Sequence, residues 1–333
     1  MQKVRVGIVG LGWVAQVFHL PILSKSLDVE IAAVCDRNKA QGSMIAEKFG
    51  VPAVYTDFEQ MLVKEELDAV VVCTSTDAHC AVTLAALEAG KDVFVEKPIA
   101  RLSKEAVQMA DAARLHKRKL MVGMNNRFRP DTMILKNFIE KGELGKIFYC
   151  KAGWFKHVAG GQTWITKKDV SGGGVMLDLG IVMLDLSLWM LGFPNVERVS
   201  ASTYKHTTKS VEDSAVVYIG LKGGSTLLIE TSWSFQSEEY FFYCNLYGTE
   251  GSAMINPLRI NKHLHGNLVN VTPAKLETPQ NLHKRSYENE LRHFIGAVRG
   301  LNPVVSSGEE AVKRMTIIDA VYSSAKKSKE ITF

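Results

Sequence analysis

Two stretches of the chain combine residue types whose spacing could support chemistry. The first, GIVGLGWVA at residues 7–15, places Gly10, Gly12 and Ala15 in the pattern G-x-G-x-x-G/A. In this pattern the first glycine makes a tight turn, the second lets the backbone approach a pyrophosphate, and the small third residue lets a helix pack closely on a strand. An ordinary tight turn could also contain this glycine pattern. Here, however, the pattern follows a strand-like run and opens a βαβ unit. We therefore predict a dinucleotide site that includes these residues and Trp13.

Asp36 ends the second strand-like run, 26 residues after Gly10. A carboxylate at this point, usually about 20 residues on, hydrogen-bonds the ribose hydroxyls of NAD and repels the 2′-phosphate of NADP. The adjacent Arg37 could stack on adenine or accept that phosphate. We expect NAD as the cofactor, with NADP as the alternative.

The second stretch is GGGVMLDLGIVMLDLSLWMLG at residues 172–192. It is almost wholly apolar, yet it carries Asp178 and Asp185, which lie seven residues apart. A helix of ordinary pitch turns about twice in seven residues, so we expect both carboxylates and Val182 on one face. The pattern raises the question of what two acids on an apolar helix bind.

The first 125 residues alternate short apolar runs with helical patterns. Continuous apolar runs separated by helices indicate a doubly wound parallel sheet that is covered on both faces. We interpret residues 1–125 as a dinucleotide-binding Rossmann domain. The apolar runs are residues 4–10, 29–36, 51–55, 68–75, 92–97 and 120–125, and the helical patterns occupy 78–90 and 103–119.

The chain as a whole is predicted to be α/β in class, but from residue 126 onward the pattern changes to strand-like runs with polar–apolar alternation, such as STLLIETSW. This alternation indicates an antiparallel sheet with two different faces. We predict an α+β domain over residues 126–333 with a large, mostly antiparallel open sheet, whose apolar outer face would be covered in a homo-oligomer. The predicted strands are 146–157, 196–206, 211–221, 225–235, 240–248 and 252–256, and the predicted helices are 131–141, 286–299 and 308–325.

Composition excludes several classes of function. The net charge of +5 is mild, and the basic residues form no aromatic-interleaved patch, so we expect no nucleic acid partner. Five cysteines without a CxxC spacing indicate a reducing compartment and no thiolate metal site. No signal peptide and no uncharged run of 18 apolar residues is found in the sequence, which predicts a cytoplasmic protein without a membrane partner.

The stretch AALEAGKDVFVEKP at residues 85–98 resembles the signature of the Gfo/Idh/MocA family of NAD(P)-dependent sugar and polyol dehydrogenases. TSTDAH (74–79), VGMNNRFRP (122–130), GELG (142–145) and the 172–185 stretch add matches in the same order. The resemblance covers essentially the whole chain. It implies a Rossmann domain, a C-terminal α+β domain that often forms the dimer or tetramer interface, and an active site between the domains.

Carried over by position, Lys97 of the Glu96-Lys97-Pro98 motif would lie beside the nicotinamide and the reacting oxygen. An ammonium can polarise a carbonyl, and a neutral amine can take a hydroxyl proton. Asp178 matches the family's active-site aspartate, whereas Val182 stands where the family usually has an acid–base histidine or tyrosine. The further cofactor-binding candidates are Thr74, Ser75, Thr76, His79, Glu96, Lys97 and Asn125, and the substrate-binding candidates are Lys97, Asp178, His157 and Trp164.

The departure at Val182 leaves three interpretations of function. The first is an oxidoreductase on a sugar, cyclitol or related polyol, with Lys97 as the main proton-transfer group and Asp178 as a partner of a substrate hydroxyl or of the lysine. The second is a family member that binds a nucleotide and a small ligand without efficient turnover, and the third uses bound NAD to cleave glycosides. His157, on the strand after Trp154, is the candidate substitute acid. Asp185 is interpreted as structural, since it lies a turn beyond the site.

Overall fold

The computed structural model describes residues 3–157, 164–236, 239–274 and 279–333. The chain forms two compact units. The first comprises residues 1–125 together with 287–315, and the second comprises residues 126–286 together with 316–333. Each unit is built around one sheet.

The first unit contains a six-stranded sheet in the order β3-β2-β1-β4-β5-β6, and all of its strand pairs are parallel. This is the strand order of the Rossmann fold, so the predicted N-terminal fold class is confirmed. Nearly every residue of the central strands is buried, because helices cover both faces of the sheet. The strands are β1 (Val4–Val9), β2 (Val29–Cys35), β3 (Ala53–Tyr55), β4 (Ala69–Val72), β5 (Asp92–Val95) and β6 (Leu120–Val122).

Helices of the first unit connect these strands. The glycine turn leads into a π-helical turn (Ala15–His19) that continues directly as α1. The helices up to β6 are α1 (Leu20–Leu23), α2 (Lys39–Phe49), α3 (Phe58–Lys64), α4 (Thr76–Glu88) and α5 (Ser103–Leu115).

Residues 287–315 pack on the first unit, whereas the division drawn from the sequence places them in the second domain. The rings of Phe18 and Tyr287 stack with centroids 4.0 Å apart, and those of Phe94 and Phe294 lie 5.6 Å apart. The backbone N–H of Val122 donates to the carbonyl oxygen of Ser306 (2.9 Å), which extends the edge of the parallel sheet. These aromatic contacts bury surface that residues 1–125 would otherwise leave exposed.

The second unit contains a nine-stranded sheet in the order β14-β13-β12-β11-β7-β10-β9-β8-β15. Among the described strands of this sheet only the β7–β10 pair is parallel, so the prediction of a large, mostly antiparallel sheet is confirmed. Three strands escaped sequence analysis: β13, β14 and β15. The strands are β7 (Ile147–Phe155), β8 (Val196–Tyr204), β9 (Ser214–Leu221), β10 (Thr226–Ser232), β11 (Phe241–Gly248), β12 (Gly251–Ile255), β13 (Arg259–Leu264), β14 (Asn267–Asn270) and β15 (Ile331–Thr332).

One face of this sheet packs on an apolar helical stretch. A segment of it, Lys168–Met190, is long and apolar enough to cross a membrane, but 89% of its most apolar window is buried inside the fold, as in the core helix of a globular protein. The helical elements after β6 are a 3₁₀ turn (Asn125–Phe128), α6 (Pro130–Glu140), a 3₁₀ turn (Trp164–Thr166), α7 (Lys168–Ser171), a π-helical turn (Met176–Gly180), α8 (Ile181–Met190), α9 (Pro279–Val298) and α10 (Gly308–Lys327).

The opposite face of the sheet is mixed in character, which corrects the expectation of an apolar outer face. Leu227 and Ile229 of β10 are buried, whereas the alternating Leu228 and Glu230 are half-buried on the other side. There the Tyr243 hydroxyl donates to Glu230 (2.5 Å), and the Lys151 ammonium pairs with the same carboxylate (3.0 Å). Charged groups occur on this face because aromatic and ionic partners on neighbouring strands satisfy them.

Candidate active site

The glycine turn has the geometry that the sequence predicts. Gly10 has φ +88°, and a side chain there would place Cβ 2.6 Å from backbone atoms of Cys73 and Thr74. Glycine is therefore required at position 10 both by its dihedral angle and by the close approach of β4. A Cβ built on Gly12 meets no atom within 4 Å, so the chain leaves open space above this residue. That space fits a pyrophosphate lying against the turn.

Asp36 is tied into the same turn. Its carboxylate accepts the backbone N–H of Leu11 (2.9 Å) through one oxygen and that of Asn38 (2.9 Å) through the other. Two hydrogen bonds hold the carboxylate at the end of β2, half-exposed beside the glycine turn. Arg37 is exposed next to it. Both residues therefore lie at the end of β2 beside the glycine turn, and their role toward a ribose stays a prediction.

The ring of His79 contacts the backbone that follows β4 and the backbone that follows β5. Its ring nitrogens lie 2.9 Å from the carbonyl oxygen of Pro98 and 3.1 Å from that of Thr74. Burial lowers the pKa of His79, although the two carbonyl oxygens act in the opposite direction, and a neutral ring donates to only one of them. His79 thus fixes the backbone that follows Lys97 and the backbone that follows β4, and its side chain is occupied by protein atoms. Ser75 precedes α4, and Thr76 is its first residue.

Glu96 lies inside the first unit, and the described contacts of its carboxylate are with protein groups. One oxygen lies 2.7 Å from Nε2 of His19, and the other accepts the backbone N–H of Lys97 (3.2 Å). Burial raises the pKa of Glu96, but the hydrogen bond and charge of His19 and the charge of Lys97 outweigh it, so the net pKa is lowered. The carboxylate therefore remains ionised and holds the backbone at Lys97. Lys97 itself is half-buried and precedes Pro98 across a cis peptide bond.

Asp178 belongs to the second unit and has a protein partner. Its carboxylate accepts the indole N–H of Trp233 (3.0 Å). Asp178 lies in the π-helical turn Met176–Gly180, where extra residues per turn change the rotation along the helix. The face predicted by counting 3.6 residues per turn therefore does not apply between positions 178 and 185. Val182, in α8, is buried.

Asp185 forms a buried ion pair with Arg127. Two hydrogen bonds, from Nε (2.8 Å) and Nη2 (2.6 Å) of the guanidinium, reach the two carboxylate oxygens. The two side chains are 1% and 2% exposed, and the guanidinium also lies over the ring of Phe193 at 5.0 Å. The structural interpretation of Asp185 agrees with this pair, and Arg127 is its partner that sequence analysis missed.

The three glycines before Asp178 make room for Glu212 and Tyr322. Gly172 ends α7 with φ +84°, and a Cβ on Gly173 or Gly174 would overlap the Tyr322 hydroxyl or the Glu212 carbonyl oxygen respectively. The Glu212 carboxylate accepts the backbone N–H groups of Gly174 (3.0 Å) and Met176 (3.1 Å) and the Tyr322 hydroxyl (2.8 Å). Burial raises the pKa of Glu212, and these donors offset it only in part. Glu212 therefore caps the helical stretch that carries Asp178.

Four further candidates lie in a loop, in 3₁₀ turns or directly after the glycine turn. His157 is exposed and lies beyond β7, which ends at Phe155, so its predicted place on the strand is wrong. Trp164 begins a 3₁₀ turn and is 45% exposed, and Trp13, after Gly12, is 69% exposed with its ring edge against Phe18. Asn125 opens the 3₁₀ turn after β6. In the part of the chain that the structure describes, no group of three or more histidine, cysteine or acidic residues could hold a metal ion.

The parallel sheet of order 3-2-1-4-5-6 and its open glycine turn define a dinucleotide-binding protein of the Rossmann class. Two family models match in succession. "Oxidoreductase family, NAD-binding Rossmann fold" covers residues 4–124, and "Oxidoreductase family, C-terminal alpha/beta domain" covers residues 136–333. The chain belongs to the Gfo/Idh/MocA oxidoreductase family and is an NAD-dependent dehydrogenase of that type.

Individual relatives span nearly the whole chain. The D-glucoside 3-dehydrogenase of Escherichia coli (strain K12) is 32% identical over 96% of this chain and 95% of its own length. The inositol 2-dehydrogenase/D-chiro-inositol 3-dehydrogenase of Lactiplantibacillus plantarum is 26% identical over 96% and 90%. GenD2 from gentamicin A biosynthesis, solved with NAD, is 25% identical with a TM-score of 0.87 over 100% and 97%. Levoglucosan dehydrogenase with NADH and levoglucosan, 20% identical, shares the fold at a TM-score of 0.90 over 99% of each chain.

Proposed function

We propose that this protein transfers a hydride between NAD and a hydroxyl-bearing or carbonyl carbon of a sugar, cyclitol or related polyol. The names of the relatives, which act on a glucoside and on inositols, support this substrate class. The observation that carries the proposal is the fixed position of Lys97. The Glu96 carboxylate holds its backbone N–H, and His79 contacts the carbonyl of the next residue, Pro98.

Lys97 is the proposed proton-transfer group. When bound, the nicotinamide accepts or supplies the hydride. In the oxidative direction the neutral Lys97 amine takes the proton of the substrate hydroxyl, and in the reductive direction the ammonium returns it. Asp178 accepts a hydrogen bond from a substrate hydroxyl. Val182 carries no exchangeable proton, so it takes no part in this step.

The turn and the strand ends of the first unit would hold the dinucleotide. Gly10, Gly12 and Ala15 would accommodate the pyrophosphate, and the open space above Gly12 fits this role. Asp36 would bind the ribose hydroxyls. Trp13, Arg37, Thr74, Ser75, Thr76, His79, Glu96, Lys97 and Asn125 complete the proposed cofactor site, with Glu96 and His79 acting through the backbone they hold.

A second candidate function rests on Val182. A member without the usual acid–base side chain could bind a nucleotide and a small ligand without efficient turnover. Purified protein should first be scanned for bound nicotinamide and then assayed with NAD against a panel of sugars and polyols. Turnover of at least one panel member supports the enzyme, whereas NAD binding with no turnover supports the second candidate.

We expect the protein to bind NAD more tightly than NADP by about tenfold or more, roughly 1.4 kcal/mol, because burying a carboxylate against a phosphate dianion is costly. Fluorescence titration with both cofactors measures this ratio. Asp36→Asn should reduce the ratio of NAD affinity to NADP affinity. Arg37→Ala, a change at the neighbouring residue, is the matched comparison. Tighter binding of NADP by the unaltered protein would show that Arg37 dominates and that Asp36 has been misinterpreted.

We also expect a homodimer or homotetramer formed through the outer face of the nine-stranded sheet. Leu228, Tyr149 and Tyr247 lie on this face beside its charged groups, and a monomer would leave their exposed parts in water. Sedimentation at micromolar concentration should show a species larger than the 36.9 kDa chain. Leu228→Arg should yield monomers, whereas Leu27→Arg, at an exposed position of the first unit, should leave the assembly unchanged. A 36.9 kDa species alone in the unaltered protein would contradict the proposal.

A cytoplasmic location remains a prediction of the sequence.

A further inference from the structure

We propose that Trp233 is the positioning residue for Asp178, and that the Glu212–Asp213 pair fixes both of them. The inference rests on the proposed role of Asp178 as a partner of the substrate. It assigns a function to residues that no sequence motif singled out.

Trp233 follows β10, and its side chain is 2% exposed. The indole Nε1–H donates to one carboxylate oxygen of Asp178 at 3.0 Å. An indole N–H can donate but never accept, so at this site it pairs only with an acceptor. An aspartate has two rotatable side-chain bonds, and this hydrogen bond selects one orientation of the carboxylate.

The backbone of Trp233 is itself fixed by Asp213. The backbone N–H of Trp233 donates to the Asp213 carbonyl oxygen at 2.7 Å. The fully buried Asp213 carboxylate accepts the backbone N–H groups of His206 (2.7 Å), Thr207 (2.5 Å) and Thr208 (3.2 Å). Burial raises the pKa of Asp213, but these donors outweigh it and the net pKa is lowered, so the group stays charged and holds its donors. The backbone of Trp233 is therefore hydrogen-bonded to a residue whose own position is fixed by several donors.

Glu212, the neighbour of Asp213 in sequence, fixes the backbone of Asp178. Its carboxylate caps the N–H groups of Gly174 and Met176, and its carbonyl oxygen accepts the N–H of Val175 at 2.9 Å. The N–H of Asp178 in turn donates to the carbonyl oxygen of Gly174 at 3.2 Å. Two adjacent residues that immediately precede β9 thus hold Asp178: Glu212 fixes the backbone of Asp178, and Asp213 fixes Trp233, whose indole binds the carboxylate.

Such an arrangement matters for binding a hydroxyl-rich substrate. A carboxylate that is already oriented loses no rotational freedom when a substrate hydroxyl donates to it, and a misplaced acceptor costs affinity and rate. Trp233 acts on the substrate only through Asp178, and it contributes no proton. We therefore expect that replacing Trp233 lowers kcat/KM for the sugar substrate when Asp178 is present and has little effect when Asp178 is absent.

Trp233→Phe removes the N–H donor while keeping an aromatic ring. We expect kcat/KM for the sugar substrate to fall about tenfold or more, mainly through KM, because a hydrogen bond to a charged group is lost. The dissociation constant for NAD should change less than about twofold, since the dinucleotide contacts are proposed to lie in the first unit. Trp189→Phe, in α8, is the matched control and should leave KM unchanged.

A double-mutant cycle separates positioning from packing. In an Asp178→Ala background, Trp233→Phe should change kcat/KM by less than about twofold. An equal loss in both backgrounds, or lower thermal stability with unchanged KM and kcat, would overturn the inference. Full activity of Asp178→Ala alone would instead refute the proposed role of Asp178, which is a different outcome.

A measurement that needs no turnover tests the inference even if Trp233→Phe fails to fold or the protein has no activity. The indole N–H resonance of Trp233, in protein labelled with ¹⁵N-tryptophan, should move in Asp178→Ala while the other four tryptophan resonances change little. Five unmoved resonances would show that the indole is not bound to this carboxylate, and the inference would fail.

Discussion

Replacing Lys97 by alanine is expected to remove nearly all turnover while NAD affinity stays within a few-fold. A positioned acid–base group contributes about 10²–10⁴-fold in rate, and the buried Val182 offers no substitute. The main contacts of the dinucleotide are proposed to involve the glycine turn and Asp36, so its binding should survive. Steady-state kinetics on the best panel substrate, combined with NAD titration, measure the two effects separately.

Lys104→Ala is the control, because that lysine is exposed in α5 and carries the same charge. It should keep full activity. A pH–rate profile of wild type, Lys97→Ala and His157→Ala tests the competing assignment. If Lys97→Ala retains most activity and His157→Ala does not, the proton passes through the histidine and the lysine assignment is wrong.

Replacing Asp185 by alanine is expected to lower the free energy of unfolding by about 3–5 kcal/mol. The change leaves the Arg127 guanidinium, which is 1% exposed, without its carboxylate partner. Neighbouring rings cannot replace the two hydrogen bonds that Asp185 accepts. Urea unfolding followed by circular dichroism gives the difference.

The exposed pair of Arg114 and Asp111 provides the matched comparison, since its side chains are 73% and 57% exposed. Asp111→Ala should cost about 0–1 kcal/mol, because water screens such a pair. The double variant Arg127→Met with Asp185→Leu should recover much of the lost stability, since no buried charge remains. Equal losses for Asp185→Ala and Asp111→Ala would show that the buried pair contributes no more than a surface pair.

Much of the architecture could be predicted because the decisive patterns are local. The apolar runs that end at residues 10, 36 and 75 are strands buried on both faces, and burial alone makes them conspicuous. The alternation in STLLIETSW correctly indicated β10, where Leu227 and Ile229 point into the core. The strands β13 and β14 escaped because most of their residues are exposed, so no apolar period marks them.

The supporting residues of the site could not be predicted, because their partners are distant in sequence. Glu96 meets His19 across 77 positions, and Trp233 meets Asp178 across 55. Neither pair has a spacing that a helix or a strand would impose. The π-helical turn also defeats counting by 3.6 residues, because nothing in MLDLG distinguishes it from an ordinary helical turn. Tertiary contacts decide these features.

The discontinuity of the first unit has a consequence for the order in which the protein is made. The ribosome delivers residues 1–125 before Tyr287, Phe294 and Ser306, which cover Phe18, Phe94 and the edge strand and lie 162 to 181 residues beyond residue 125. At about 5–20 residues per second, roughly ten to forty seconds pass before residue 315 is synthesised. During that interval the nascent nucleotide-binding half has an uncovered aromatic surface, and the whole central part of the other unit emerges before the first is complete. Residues 287–315 therefore complete the fold of a segment that was translated well before them.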